Sequence, residues 1–158
     1  MGHFLCAWVR DLYWSSPQTT FAVNPLTVVL AKSLRGRVPF PDKRFLPLLA
    51  WGYLQYRLAS SYRMSLGGGA GGMAGFPDRL VTSGPYALTR NPMYLGHLIF
   101  SLGLVLAFRS PVAAGLLFLR AVYFSLRVLT DEERLERHFG QEYLRYRERV
   151  SRWVPGLL

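Results

Sequence analysis

Cysteine and acidic side chains are the scarce residues of this chain. Cys6 is the only cysteine among 158 residues, which excludes an intramolecular disulfide. Three histidines and that one thiol leave no set at metal-ligand spacing, so no metal is expected. Nine aspartates and glutamates face 19 lysines and arginines, for a formal net charge of +10. A convincing secretory signal is also missing: Phe4 to Val9 is too short for its apolar core, and Arg10-Asp11 interrupts it. Met1-Gly2 resembles the start of a myristoylation signal, but Cys6 stands where serine or threonine is wanted, so lipidation is not expected. The glycine-rich run from Gly67 to Gly72 has no Gly-Lys-Ser/Thr ending and no preceding strand, so it reads as a flexible linker or mobile lid rather than a phosphate loop.

What the chain does have is apolar surface. Apolar and aromatic residues make up 51% of it, and the basic charges alternate with long apolar runs. In a soluble protein such a charge suggests nucleic acid; in this pattern it reads as a small membrane protein with basic loops beside anionic headgroups, and no nucleic-acid partner is expected. A helical span takes roughly 17–25 mostly apolar residues. Tyr94 to Phe108 with its flanks and Val112 to Leu129 come close, Phe45 to Tyr62 is a third candidate, and Phe21 to Leu34 a shorter fourth. The expected fold class is all-α: a polytopic membrane helical bundle of about four apolar helices with a C-terminal amphipathic helix, forming one domain over residues 1–158.

Trp8, Tyr13 and Trp14 suit an interfacial helix, and Asn24-Pro25 is expected to break the next apolar run near its start. A basic loop follows from Lys32 to Arg44, and Gln55 and Arg57 stand towards the end of the third apolar segment. Gly96 and Gly103 share a helix face, and Ala113-Ala114-Gly115 opens the next helix, a pattern for close packing within a hairpin. His97 beside them reads as a hydrogen-bonded core histidine. From Asp131 to Val150 the chain reads as helical with an interruption at Gly140; Leu135, Phe139, Tyr143, Tyr146 and Val150 line one face, and Trp153-Val154-Pro155 ends it.

If Tyr94 to Leu129 is a hairpin, both its feet face one compartment. Arg79, Arg90, Arg127 and the arginines of the tail fall on that side, with only Arg109 in the turn, so the positive-inside bias puts the feet in the cytosol. If Phe45 to Tyr62 is a true span, Arg35, Arg37, Lys43 and Arg44 land outside, against the rule; either that segment is not a simple span or the hairpin's bias outweighs it, and the second reading is preferred.

The two feet carry the chemistry. The first is Gly84-Pro85-Tyr86-Ala87-Leu88-Thr89-Arg90-Asn91-Pro92-Met93-Tyr94-Leu95-Gly96, and the second is Asp131-Glu132-Glu133-Arg134. Helix construction explains part of this: Asn91 is a good cap, Pro92 suits a first turn, and Thr130 with Glu133 has capping-box spacing. It leaves Arg90, Glu132, Tyr86 and Tyr94 unexplained.

Thr89-Arg90-Asn91-Pro92-Met93-Tyr94-Leu95-Gly96, followed by Asp131-Glu132-Glu133 and Phe139-Gly140-Gln141-Glu142-Tyr143, resembles the integral-membrane methyltransferases of the isoprenylcysteine carboxyl methyltransferase and phospholipid methyltransferase superfamily. The hallmark there is an Arg-His-Pro-x-Tyr-x-Gly element, an apolar hairpin and a Glu-Glu pair. The resemblance covers residues 79–155. It implies S-adenosylmethionine binding between the hairpin feet and the tail, with Arg90 and Glu132 as catalytic residues. Cofactor contacts would come from Tyr86, Leu88, Arg90, Asn91, Pro92, Tyr94, Gly96, Glu132 and Glu133. Asn91 stands where many members have histidine, and an amide cannot act as a base near neutrality.

The chemistry of the residues agrees. Aromatic faces such as Tyr86, Tyr94 or Tyr143 suit a sulfonium cation, a glutamate suits ribose hydroxyls or an amino group, and Arg90 suits a carboxylate. The expected activity is methyl transfer to a lipophilic or membrane-embedded acceptor, a small molecule or a lipidated one: carboxyl, thiol or amine, in that order. The setting is the bacterial inner membrane or the endoplasmic reticulum, with the site facing the cytosol among membrane lipids. Two rivals stand beside it: an NADPH-dependent membrane reductase of the steroid or sterol type, and a non-catalytic protein on the same scaffold. Twin carboxylates count against the 2′-phosphate of NADPH.

Overall fold

The computed structural model describes residues 17–36, 40–68 and 77–153, and their regular elements are all helical. The expected interfacial helix around Trp8 and most of the glycine-rich run lie outside the described residues. A π-helical turn, Thr19–Val23, leads into α1, Asn24–Ser33. A short 3-10 turn, Lys43–Phe45, leads into α2, Leu46–Gly67. A single turn α3, Pro85–Leu88, precedes α4, Pro92–Phe108; α5, Pro111–Phe139, and α6, Gln141–Arg149, complete the order.

Asn24-Pro25 does not break the first apolar run. Proline removes an N–H and crowds the carbonyl four residues back, which stops an ordinary α-helix. Here the Asn24 N–H bonds to the Thr19 carbonyl across a wider turn, so the helix passes through without interruption. The capping box expected at Thr130 is likewise absent. Residues 130–133 lie inside α5, a single helix of 29 residues, and the carboxylates project from its side rather than from its start.

Among the described helices, α5 alone is both long and apolar enough to cross a bilayer, and only 22% of its most apolar stretch is buried. A core helix of a soluble protein would be mostly covered. α4 is a shorter apolar helix of 17 residues, the lower end of the spanning range. α2 is 22 residues long but carries Gln55, Arg57 and Arg63, and α1 has ten residues. Leu26, Leu30, Trp51, Leu58, Phe118 and Leu126 stand exposed along these helices, a distribution suited to lipid contact.

The helices build two compact units, one from Met1–Tyr53 and His97–Tyr123, the other from Leu54–Gly96 and Phe124–Leu158. In the first, Val28, Leu104, Ala107, Phe108 and Ala113 form the core. His97 is fully buried with Nδ1 2.7 Å from Thr20 Oγ1, and its ring stacks on Phe21 at 4.9 Å. That is the hydrogen-bonded core histidine the sequence suggested. Gly103 matters for a different neighbour than expected: a Cβ there would meet Leu49 of α2 at 2.9 Å, whereas one at Gly115 would meet nothing within 4 Å. Gly103 therefore admits α2, while Ala113 rather than Gly115 is the small residue of α5 that packs against α4.

In the second unit Tyr143, Tyr146 and Val150 are buried together, with Leu80, Leu135 and Phe139 packed against them. The stripe spaced at threes and fours does face inward, and Gly140, at φ +52, breaks the helix where expected.

Candidate functional site

The second unit holds a cavity of about 130 Å³ whose wall is built from both motif segments and the tail. Tyr86, Arg90, Asn91, Pro92, Tyr94 and Glu132 line it, together with Asp131, Tyr143 and Tyr146.

Gly84 makes the first segment possible. Its φ of +59 and ψ of −130 turn the chain sharply into α3, and a Cβ there would lie 2.6 Å from the Tyr62 ring. Thr89 then runs extended, and the next four polar contacts all go to the tail or reinforce it. The Arg90 N–H donates to the Ser151 carbonyl at 2.9 Å. Thr89 Oγ1 and Asn91 Nδ2 both donate to the Arg152 carbonyl, at 3.0 and 3.2 Å. The Asn91 N–H bonds to Thr89 Oγ1 at 3.3 Å. Tyr146 closes the other side, donating its hydroxyl to the Tyr86 carbonyl at 2.7 Å.

From α5, Glu132 meets two arginines. Arg90 Nη1 lies 3.2 Å from Oε1, and Arg152 makes a two-point pair through Nε and Nη2 at 3.1 and 2.8 Å. Asp131 Oδ2 accepts from the Tyr94 hydroxyl at 2.6 Å, and its other oxygen pairs with Arg127 at 3.2 Å. Tyr94 also stacks on Phe124, with centroids 4.5 Å apart. The result is a charged floor under an aromatic wall. Burial pushes the Tyr86 phenol up to about 12. Burial and then the neighbouring Glu132 carboxylate push Tyr143 up to about 12, against the pull of Arg90. Both rings stay neutral and present uncharged π faces at any ordinary pH.

Three of the residues expected at the site lie elsewhere. Glu133 is turned away: its side chain is 67% exposed and pairs with Arg137 at 3.3 Å. Leu88 is exposed, and Gly96 is buried without lining the cavity. Helix phase explains the carboxylates. Residues 131, 132 and 135 fall on the inward arc of α5, and 133 follows 100° per residue onto the opposite side. Sequence reasoning missed Asp131 as a partner of Tyr94 and missed Arg152 altogether. Spacing at 131, 132 and 135 was available to find the first; nothing local marks Arg152.

The donor set fits a polar nucleoside-type methyl donor in its chemistry. Arg90 is nearly buried, lines the cavity and has no hydrogen-bond partner at its Nε among the described residues, beside a carboxylate and several aromatic rings.

Residues 53–142, more than half of the chain, match the family model described as phospholipid methyltransferase. The chain is 41% identical over 78 residues to protein-S-isoprenylcysteine O-methyltransferase A of Arabidopsis thaliana, covering 48% of this chain and 39% of that protein. It is 37% identical over 79 residues to the B form from the same plant, covering 49% and 40%. With the human protein-S-isoprenylcysteine O-methyltransferase it shares 37% over 78 residues, 48% of this chain and 27% of that one. The match thus spans less than half the length of each of these relatives.

Proposed function

Because the chain belongs to the phospholipid methyltransferase family, we propose that it is a membrane enzyme transferring a methyl group from S-adenosylmethionine to a carboxylate on a lipophilic or lipidated acceptor. The observation that carries this reading is the nearly buried Arg90–Glu132 pair on the floor of an aromatic cavity. S-adenosylmethionine supplies an electrophilic methyl group on a sulfonium cation. The chain's own residues supply the rest. Arg90 Nε offers a buried donor for a carboxylate, and Glu132 keeps acceptor capacity for hydroxyl or amino groups. The faces of Tyr86 and Tyr143 stabilise a neighbouring cation and keep water away from it.

A carboxylate acceptor suits this site better than an amine. It is ionised at neutral pH and reacts without a base, and Asn91 offers no titrating group where a base would stand. The relatives' names point to the same oxygen chemistry. Positioning then accounts for most of the acceleration. The acceptor enters from the membrane, in a polytopic arrangement whose hairpin feet face the cytosol. Thiol and amine acceptors follow in that order.

The test is equilibrium binding of radiolabelled S-adenosylmethionine, and separately of NADPH, to the detergent-purified chain. Binding of the methyl donor alone is expected, lost in Arg90→Ala and in Glu132→Ala. Methyl transfer to a prenylated cysteine with a free carboxylate, and none to its methyl ester, completes it. Donor binding unchanged in both variants overturns the site.

A further inference from the structure

The basic stretch that begins at Lys32 takes no part in the cavity around Arg90. The first unit gathers it instead at the turn between α4 and α5. The Asp42 N–H bonds to the Ala107 carbonyl at 2.8 Å, and Lys32 Nζ donates to the Phe108 carbonyl at 3.0 Å while lying 5.8 Å from the Phe108 ring centroid. Asp42 accepts from Arg44 at 2.8 Å and from Arg109 at 3.4 Å. Four helix ends therefore converge on one small region.

Three features there call for a ligand. A second cavity, of about 370 Å³, opens among Lys32, Arg35, Asp42 and Arg109. Its lining cations outnumber the single carboxylate, and that carboxylate is already committed: hydrogen bonds from Arg44 hold Asp42 down to about 2. Asp42 thus stays ionised and offsets one of the cations Lys32, Arg35 and Arg109, which leaves the lining net positive. Next, Arg109 is the one non-glycine residue with positive φ among those described, at +47. That left-handed residue ends α4, with its N–H on the Val105 carbonyl at 2.8 Å, and it places the guanidinium in the cavity wall. Finally, two large apolar side chains stand beside the cations in full exposure, Leu34 at 87% and Phe40 at 80%. An inorganic anion gains nothing from them, whereas a molecule with a charged head and apolar tail gains from both.

We propose that this cavity binds the phosphate of an anionic phospholipid, with Lys32, Arg35 and Arg109 on the headgroup and Leu34 and Phe40 against the acyl chains. The site is independent of methyl transfer, and its occupancy is read without any donor or acceptor.

Native mass spectrometry of the full chain, incubated with equal amounts of phosphatidylglycerol and phosphatidylcholine and released from detergent, tests it. A retained phosphatidylglycerol adduct is expected, and little phosphatidylcholine. Arg35→Gln removes an exposed cation and should weaken retention about fivefold, the weight of one cation at an anionic surface. Leu34→Ser should weaken it too while leaving every charge in place. Thermal unfolding of both variants is expected to match the parent, so a lost adduct reports binding rather than folding. Equal retention of the two lipids, undiminished retention in Arg35→Gln, or displacement of the lipid by millimolar inorganic phosphate each overturns the proposal.

Discussion

Arg152 holds Glu132 by both oxygens, Nε to Oε1 at 3.1 Å and Nη2 to Oε2 at 2.8 Å, while Arg90 shares Oε1 at 3.2 Å. One carboxylate from α5 thereby ties the first motif segment to the end of the tail. The three side chains differ in exposure: 9% for Glu132, 11% for Arg90 and 40% for Arg152.

Those exposures rank two truncations. Glu132→Ala strands a nearly buried guanidinium and should cost about 3 kcal/mol, the usual penalty for breaking a buried pair from one side. Arg152→Ala removes a half-solvated partner and leaves Glu132 paired with Arg90, so about 1 kcal/mol is expected. Thermal unfolding in one detergent decides. Equal losses from the two variants would contradict a shared, asymmetric triad.

Asn91 offers a second test, because its work here is visible and does not involve proton transfer. Its Nδ2 donates to the Arg152 carbonyl at 3.2 Å. An imidazole N–H can make the same bond, so Asn91→His is expected to keep the tail docked with a stability change under about 1 kcal/mol. Asn91→Asp replaces the donor with a carboxylate aimed at a carbonyl, and should cost about 1–3 kcal/mol. Paired unfolding measurements check this; a harmless aspartate would mean the amide does not hold the tail.

Part of this arrangement is legible in the residues alone, and the division has a physical cause. Patterns with a local period survive: Leu135 and Phe139 share a face of α5, Tyr143 and Tyr146 a face of α6, and the two pack together with Val150 because each helix repeats its own face within a short window. Gly140 ends α5 for an equally local reason, its positive φ. Local signals mislead where a neighbouring helix decides. Thr130 and Glu133 carry the spacing of a helix start yet sit in the middle of α5, since the apolar run before them is already helical. Likewise Glu133 rather than Asp131 looks like the functional partner of Glu132 until the phase of α5 against the cavity is known. Arg152 is beyond local reading, because its contact with Glu132 spans 20 positions and depends on how α6 folds back.

Gly84 tests whether the first segment needs its turn. Its backbone lies in a region that side chains with a Cβ avoid, and the added carbon would sit 2.6 Å from the Tyr62 ring, whose hydroxyl is 2.9 Å from Ser83 Oγ. Gly84→Ala is expected to lose about 2–4 kcal/mol, strain and clash together. Adding Tyr62→Ala should relieve only the clash, so the double variant recovers part of the loss. Full recovery would show that the turn itself is unstrained.

Alkaline titration probes the aromatic wall. Tyr86 and Tyr143 are pushed up to about 12, and burial raises Tyr146 further still. A phenol that holds its proton more tightly in the fold than in the unfolded chain favours the fold fully while both forms are protonated. That contribution therefore persists below about pH 10, the ordinary tyrosine value, and falls as pH rises from there towards 12. Tyrosinate absorbance should accordingly show a late-titrating class whose appearance coincides with unfolding, while helix content holds up to about pH 10. Tyr143→Phe removes one of these groups and should move the alkaline midpoint upwards. If every phenol ionised near pH 10 with the helices intact, Tyr86 and Tyr143 would have to be solvated, and the cavity would lack the dry aromatic faces on which a sulfonium could rest.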